Sequence, residues 1–243
     1  MTLAGDSVIW HDVECGGYSA DLPLWEELAE AAEGPILELG CGTGRAGLHL
    51  ARCGHEVTGL DRQAELVAAF NERAEGLNAQ ALAGDACGFE LGDKVALVLA
   101  PMQLLQLLTG PSERVACLAS AAAHLERGGT VALAIAEQVP SGTSFGPEDI
   151  VPDAREVDGH LYASLPLEIG QRNGEIFVRR QRKRVSPDGE LVESLDEVRL
   201  QAIAAADIER EGEAAGLRAA GRRRIAATEA HVGSTVVLLE RGS

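Results

Sequence analysis

Residues 36–44 read Ile36-Leu37-Glu38-Leu39-Gly40-Cys41-Gly42-Thr43-Gly44. A four-residue, mostly apolar run ends in three glycines at alternate positions. The run is the pattern of a buried strand, and the glycines let the chain turn tightly into the next element. That element, Gly44 to Arg52, has helical spacing, and Gly54 closes it as a C-terminal glycine. With no side chains at 40, 42 and 44, a ligand can lie against the main chain and meet its N–H groups. In an open parallel sheet, ligands bind beyond the carboxyl ends of the strands, where this turn falls.

The pattern continues outward from the turn. Leu22–Ala32 is an amphipathic helix stopped by Glu33-Gly34-Pro35. Val57–Leu60, Ala79–Ala83, Val95–Leu99 and Thr130–Ala136 are further short runs, and Gln63–Glu75 and Ser112–Leu125 are helices between them. Short runs alternating with helices predict an α/β fold, a Rossmann-like doubly wound sheet. After Glu137 the style changes. Residues 138–159 are rich in Pro, Gly, Ser and Asp and read as a loop. His160–Gly170, Glu175–Val185 and Leu191–Ala202 alternate as antiparallel strands, with Ser186-Pro187-Asp188-Gly189 a turn between the last two. A helix over Ala205–Ala215 and strands over Leu217–Ala227 and Thr235–Glu240 complete the core sheet with a final antiparallel strand. The expected organisation is a core of residues 1–137 and 203–243, with 138–202 a small antiparallel β insertion. That insertion is too short to bury a good core alone, so its one apolar face must pack on something. It is expected to act as a lid over the ligand site and to hold the acceptor specificity.

Composition narrows the function. The chain has 243 residues, about 1.6 domains' worth at ~150 residues each. It is 46% hydrophobic and 24% charged, which excludes disorder over most of its length. Lys and Arg number 21 against 38 Asp and Glu, a formal charge of −17. That field repels polyanions and argues against a dedicated nucleic-acid binder. The longest apolar stretch, Val95 to Leu108, is interrupted by Pro101, Gln103 and Gln106 and is too short to span a membrane. The N-terminal MTLAGDSVIWHDVEC lacks a basic start and an apolar run, so no secretory signal is expected. Cys15, Cys41, Cys53, Cys87 and Cys117 are scattered and odd in number, as for free thiols in the cytoplasm. No CxxC pair or His/Cys cluster suggests metal, and no metal site is expected.

Two carboxylates accompany the glycine turn. Asp61 ends the run VTGLD, 19 residues after Gly42, where it can accept hydrogen bonds from both ribose hydroxyls of an adenosine. Asp85 follows the third run, where it can accept from an adenine amine while the Ala86 N–H donates to a ring nitrogen. Gly42-Thr43-Gly44-Arg45-Ala46-Gly47 also spells the GxGxxG of dinucleotide-binding turns. Glu38 argues against that reading, since a carboxylate beside a pyrophosphate repels it, whereas one facing an ammonium attracts it.

Taken together, ILELGCGTG, GHEVTGLD, AGDA, VALVLAP and HLERGGTVALAI resemble the class I S-adenosylmethionine-dependent methyltransferases of small-molecule type, over roughly residues 18–137. The resemblance implies that Glu38, Gly40, Cys41, Gly42 and Gly44 hold the methionine half of S-adenosylmethionine. It implies that Asp61 holds the ribose, that Arg62 borders the adenine and that Asp85 and Ala86 read it. Ala100 would lie near the transferring methyl. YSADLPLW resembles the family's cap segment, with Tyr18 closing over the cofactor. Two features depart from the family pattern. Ala96 stands where many relatives open the fourth strand with a carboxylate, and Asp93 lies just outside the run. Ala100-Pro101-Met102-Gln103 replaces the N/D-P-P-Y/F signature of enzymes that methylate adenine, cytosine or glutamine amides.

The implied enzyme methylates a small-molecule acceptor at N or O, as a monomer or homodimer. An NAD(P)-dependent oxidoreductase and a non-catalytic adenosine-ligand module are the alternatives. Glu137, His160 and His231 are candidate bases, none of them assigned, so the catalytic residues stay unknown. The basic run Arg179 to Arg184 is expected to be absorbed by cross-strand ion pairs, Arg182 with Glu193 and Arg179 with Asp196.

Overall fold

A computed structural model of the chain describes residues 6–137, 139, 143–144, 151–228 and 231–242. In chain order its strands are β1 (Ile36–Leu39), β2 (Val57–Asp61), β3 (Ala79–Ala83), β4 (Val95–Ala100), β5 (Leu125–Ile135), β6 (Thr143–Ser144), β7 (Asp153–Val157), β8 (His160–Arg172), β9 (Glu175–Val185), β10 (Leu191–Gln201), β11 (Leu217–Ile225) and β12 (Ser234–Arg241). The helices are α1 (Ser7–Cys15), α2 (Leu22–Ala32), α3 (Gly47–Arg52), α4 (Ala64–Arg73), α5 (Leu104–Leu107), α6 (Pro111–His124) and α7 (Ala205–Ala214). Two compact units result, residues 19–137 with 203–243, and residues 1–18 with 138–202.

The larger unit is built on a seven-stranded sheet in the order β11-β12-β5-β4-β1-β2-β3. Five strands pair in parallel, and β12 runs antiparallel to both its neighbours. This is the expected doubly wound α/β sheet with a late antiparallel strand. All four residues of β1 and all six of β4 are buried, as strands covered on both faces must be. Leu37 and Leu39 share one apolar cluster with Val98, Leu118 of α6 and Ile208 of α7. Leu48 of α3 and Phe70 of α4 form a second cluster with Ala81 of β3. The chain runs outward from β1 to β3 and returns to β4 on the other side of β1. The strand order therefore reverses between β1 and β4, and in open α/β sheets ligands bind beyond the carboxyl ends of the strands at such a point.

Some boundaries differ from the periodicity. The segment Gly44–Ala46 stays in the turn, and the regular helix starts only at Gly47. β5 begins at Leu125 and carries Arg127-Gly128-Gly129 as an irregularity in its pairing with β4, where Val95 meets Leu125 and Leu97 already meets Thr130.

The smaller unit is a five-stranded antiparallel sheet, β10-β9-β8-β6 with β7 also on β8. The loop expected over 138–159 falls mostly outside the described residues, and its end, Asp153–Val157, is the strand β7. Helix α1, which the sequence reading left without structure, belongs to this unit, so by their contacts residues 1–18 group with the insertion and not with the core. It supplies the cover that the insertion's apolar face needs. Trp10 packs edge-on against Tyr162 at 5.2 Å, with Val13 in the same cluster. Arg182 lies over the Trp10 ring and donates twice to Glu14, 2.7 Å each.

The basic run is absorbed as expected, but one residue out of the expected register. Arg182 faces Ser194 and Arg179 faces Glu197. The reason is the turn. Ser186 N–H donates to the Glu190 carbonyl, so five residues connect the strands, not four, and every pair shifts by one. The partners become Glu197 and Glu168 for Arg179, Asp196 and Glu14 for Arg182, Glu193 for Lys183, Asp153 for Arg180 and Asp6 for Arg184. Arg179 is half-exposed and its bridges are screened, so Arg179→Gln should leave the thermal midpoint unchanged. Arg182→Gln should lower it, because it strips Glu14 and Trp10 together. Equal midpoints for the two variants would contradict this assignment.

Candidate active site

Everything the sequence reading placed at the turn, except Tyr18, lies at the carboxyl ends of β1 to β4. Gly40, Gly42 and Gly44 all have positive φ, at 67°, 54° and 95°. A Cβ on Gly44 would stand 2.5 Å from Leu48 Cδ1, so only glycine lets α3 pack beneath the turn. Leu104 of α5 comes to 3.2 Å from where a Cβ of Gly40 would be, so the segment after β4 borders the turn.

The amide hydrogens of the turn are committed inside the protein. Gly40 and Cys41 both donate to the Leu60 carbonyl, at 2.8 and 3.1 Å, and Gly44 donates to Cys41 at 2.9 Å. Gly42 donates to Asp61 Oδ2 at 2.9 Å. The expectation that a ligand meets N–H groups here is therefore corrected at these four residues. They can offer shape and carbonyl oxygen. A pyrophosphate needs N–H donors, and even the first amide of α3, Gly47, is spent on Glu38 Oε2 at 2.8 Å. An ammonium needs acceptors, which the turn's carbonyls can supply.

Asp61 sits at the end of β2 and is half-buried. Its two oxygens accept one backbone N–H each, Oδ2 from Gly42 and Oδ1 from Gln63, both at 2.9 Å. A carboxylate has about four lone-pair sites, so one remains on each oxygen, the number a ribose diol requires. Asp85 is exposed two residues beyond β3, and its Oδ1 accepts from Cys87 N–H at 2.9 Å. Ala86 beside it is half-buried and Arg62 is exposed. Ala100 ends β4 and is buried as a whole residue. The same holds for Cys41, whose thiol is held well above its ordinary range by burial and by the nearby Glu38 and Asp61 carboxylates. The shape, the carbonyls and the free lone pairs of Asp61 fit a cofactor with an ammonium at one end and a ribose at the other.

Glu38 is 4% exposed. Burial raises its pKa from 4.5 to about 8, against the lowering influence of Arg45 and the Gly47 N–H. It fastens the far side of the turn to α3. A Cβ on Gly47 would stand 2.4 Å from its Oε2. A carboxyl with a raised folded pKa stabilises below its unfolded value, and that contribution is lost as pH rises toward about 8. Glu38→Gln keeps the acceptor for Gly47 and removes the titration. Urea midpoints at about pH 6 and about pH 9 should differ more for the native chain than for this variant. The same difference in both would show that Glu38 does not titrate in this window.

Sequence reasoning missed a buried group behind the turn. Asp21, fully buried before α2, receives both terminal guanidinium nitrogens of Arg45 and the Trp25 indole N–H, each at 2.7 Å. A cation at the start of a helix opposes the helix dipole, and that was the available signal that Arg45 has a dedicated partner. A second missed residue is Gln106, fully buried, whose amide exchanges hydrogen bonds with the Ala136 main chain at 2.7 and 3.1 Å and ties α5 to the end of β5. Gln103 just before it has φ 42°, an unusual backbone for a residue other than glycine.

The candidate bases separate. Glu137 Oε1 accepts from the Ala205 N–H at 2.8 Å, so it serves as a cap for α7. His160 opens β8 in the smaller unit, with Nδ1 at 3.2 Å from the Asp158 carbonyl. His231 donates its backbone N–H to Thr228. Tyr18 also belongs to the smaller unit, half-buried after α1.

Residues 36–129 match the model of the methyltransferase domain family. No curated protein sequence matches the chain. Among solved structures, the chain is similar to CalS10, crystallised with S-adenosylmethionine, an amino pentose methyltransferase from Micromonospora echinaspora involved in calicheamicin biosynthesis. The TM-score is 0.72 at 20% identity, covering 96% of each chain. The CcbJ methyltransferase of Streptomyces caelestis gives 0.72 at 22% identity, over 100% of this chain and 99% of that one. The sugar N-methyltransferase KedS8 of a Streptoalloteichus species gives 0.74 at 15% identity, over 97% and 92%. The glycine turn, the two carboxylates and the strand order all lie within or beside the matched methyltransferase domain, and the chain shares the fold of these methyltransferases.

Proposed function

We propose that the enzyme transfers the methyl group to an amine on a small-molecule acceptor, with an amino sugar as the leading class. The observation that carries the cofactor half is the carboxylate of Asp61, which keeps one acceptor site on each oxygen beside a turn whose amides at Gly40, Cys41, Gly42 and Gly44 are spent. Asp61 would hold the ribose, Asp85 and Ala86 the adenine, Arg62 its edge, and the carbonyls about Gly40 the ammonium. Glu38 would act through the turn by fastening Gly47. When bound, the cofactor supplies a methyl activated by the sulfonium, so the protein's task is to position the nucleophile and exclude water.

Three points support the acceptor class. The charge of −17 attracts a cationic amine and repels nucleic acid. Ala100-Pro101-Met102-Gln103 lacks the polar signature suited to planar amides and nucleobases. Similar folds include an amino pentose methyltransferase and a sugar N-methyltransferase. In this reading residues 138–202 select the acceptor while the core holds the cofactor. Among the described residues no helix is long and apolar enough to cross a membrane.

The test is S-adenosylhomocysteine release with paired acceptors, an amino sugar and the same sugar with hydroxyl in place of amine. Release with the amine alone is expected. Release only with the hydroxyl compound, or with transfer RNA, would overturn the acceptor assignment.

A further inference from the structure

The geometry points to a zinc site on the outer side of the larger unit, made by Glu26, His49 and Cys53. The methyl-transfer chemistry uses none of the three. Glu26 comes from α2, His49 from α3, and Cys53 stands at the C-terminal end of α3, one helical turn after His49. Residues four apart share a helix face. Leu48, Leu50 and Ala51 fill the buried face of α3, which leaves His49 and Cys53 turned outward toward Glu26. The three ligand atoms lie within 4.8 Å of one another, and His49 Nε2 is 2.5 Å from Glu26 Oε1. His49 and Glu26 are half-buried and Cys53 is exposed. Among the described residues no other set of three such groups comes together.

The donor set selects the ion. One imidazole nitrogen, one thiolate and one carboxylate oxygen match zinc, whereas magnesium and calcium require oxygen throughout. Tetrahedral zinc holds its ligands about 2.0–2.3 Å away, hence about 3.3–3.8 Å from each other. Side-chain rotations on the order of 1 Å bring the three atoms to that spacing. Three protein ligands leave a fourth position for water. The ion would clamp α2 to α3, the helix that continues from the glycine turn. The linear sequence conceals the set because Glu26 reaches the other two only through helix packing.

Cobalt(II) added to the full-length, chelator-treated protein is the probe. One equivalent should produce the near-ultraviolet thiolate-to-cobalt charge-transfer absorption and the visible bands of four-coordinate cobalt, and one equivalent of zinc should abolish both. Cys53→Ser should lose the charge-transfer absorption, and His49→Ala should weaken binding more than about ten-fold. A Cys15→Ser/Cys87→Ser variant should keep the signal, which separates the site from the other accessible thiols. Zinc should raise the melting temperature of the native chain but not of Cys53→Ser. Absence of the charge-transfer absorption, or its persistence in Cys53→Ser, would overturn the site and leave His49 and Glu26 as an ordinary hydrogen-bonded pair. Neither outcome depends on methyltransferase activity.

Discussion

Asp61→Ala should weaken S-adenosylhomocysteine binding by about 100-fold or more while leaving the protein folded. Each hydrogen bond to a charged group is worth about 1.5–3 kcal/mol, and two ribose bonds at the lower figure already exceed a hundred-fold. A second loss adds to the first, because Gly42 N–H donates to Asp61 Oδ2 and would lose that partner. Asp61→Asn should be milder, since the amide keeps one acceptor oxygen. Calorimetry on both variants checks the order. Unchanged affinity in Asp61→Ala would remove Asp61 from the ribose site.

The largest expected effect on stability lies behind the turn. Asp21→Ala leaves the Arg45 guanidinium buried without its main counter-charge and takes the acceptor from the Trp25 indole. Breaking one side of a buried ion pair costs about 3–5 kcal/mol. For an average domain that is a large share of total stability. Replacing both partners removes the stranded charge, so Asp21→Ala/Arg45→Ala should be less destabilised than the sum of the single variants. Urea denaturation of the four proteins measures the coupling. Strict additivity would mean that the pair holds nothing together. Because Arg45 directly follows the glycine turn, Asp21→Ala should also loosen cofactor binding at temperatures where it remains folded.

The parallel half of the fold was legible because its signals are local. Glycines with positive φ, apolar runs buried on both faces and carboxylates at strand ends can each be read without knowing the partner strand. What the sequence hid is non-local. Helix α1 has no strong periodicity of its own, and its place is set by Trp10 meeting Tyr162, far along the chain. The hairpin between β9 and β10 slipped by one residue because Glu190 joined the turn, which composition does not reveal. Glu38 was legible as a carboxylate beside the glycines of the turn, yet its partner Gly47 emerges only once the turn is folded. The fate of Glu137 likewise depended on where α7 begins.

On the proposed function, the turn accepts a nucleoside bearing an ammonium and not a dinucleotide pyrophosphate. Titration of the native chain with S-adenosylhomocysteine and with NADH, in the same calorimeter and buffer, tests it most directly. Saturable one-to-one binding of S-adenosylhomocysteine and no heat of binding from NADH are expected. Binding of NADH with no response to S-adenosylhomocysteine would contradict it.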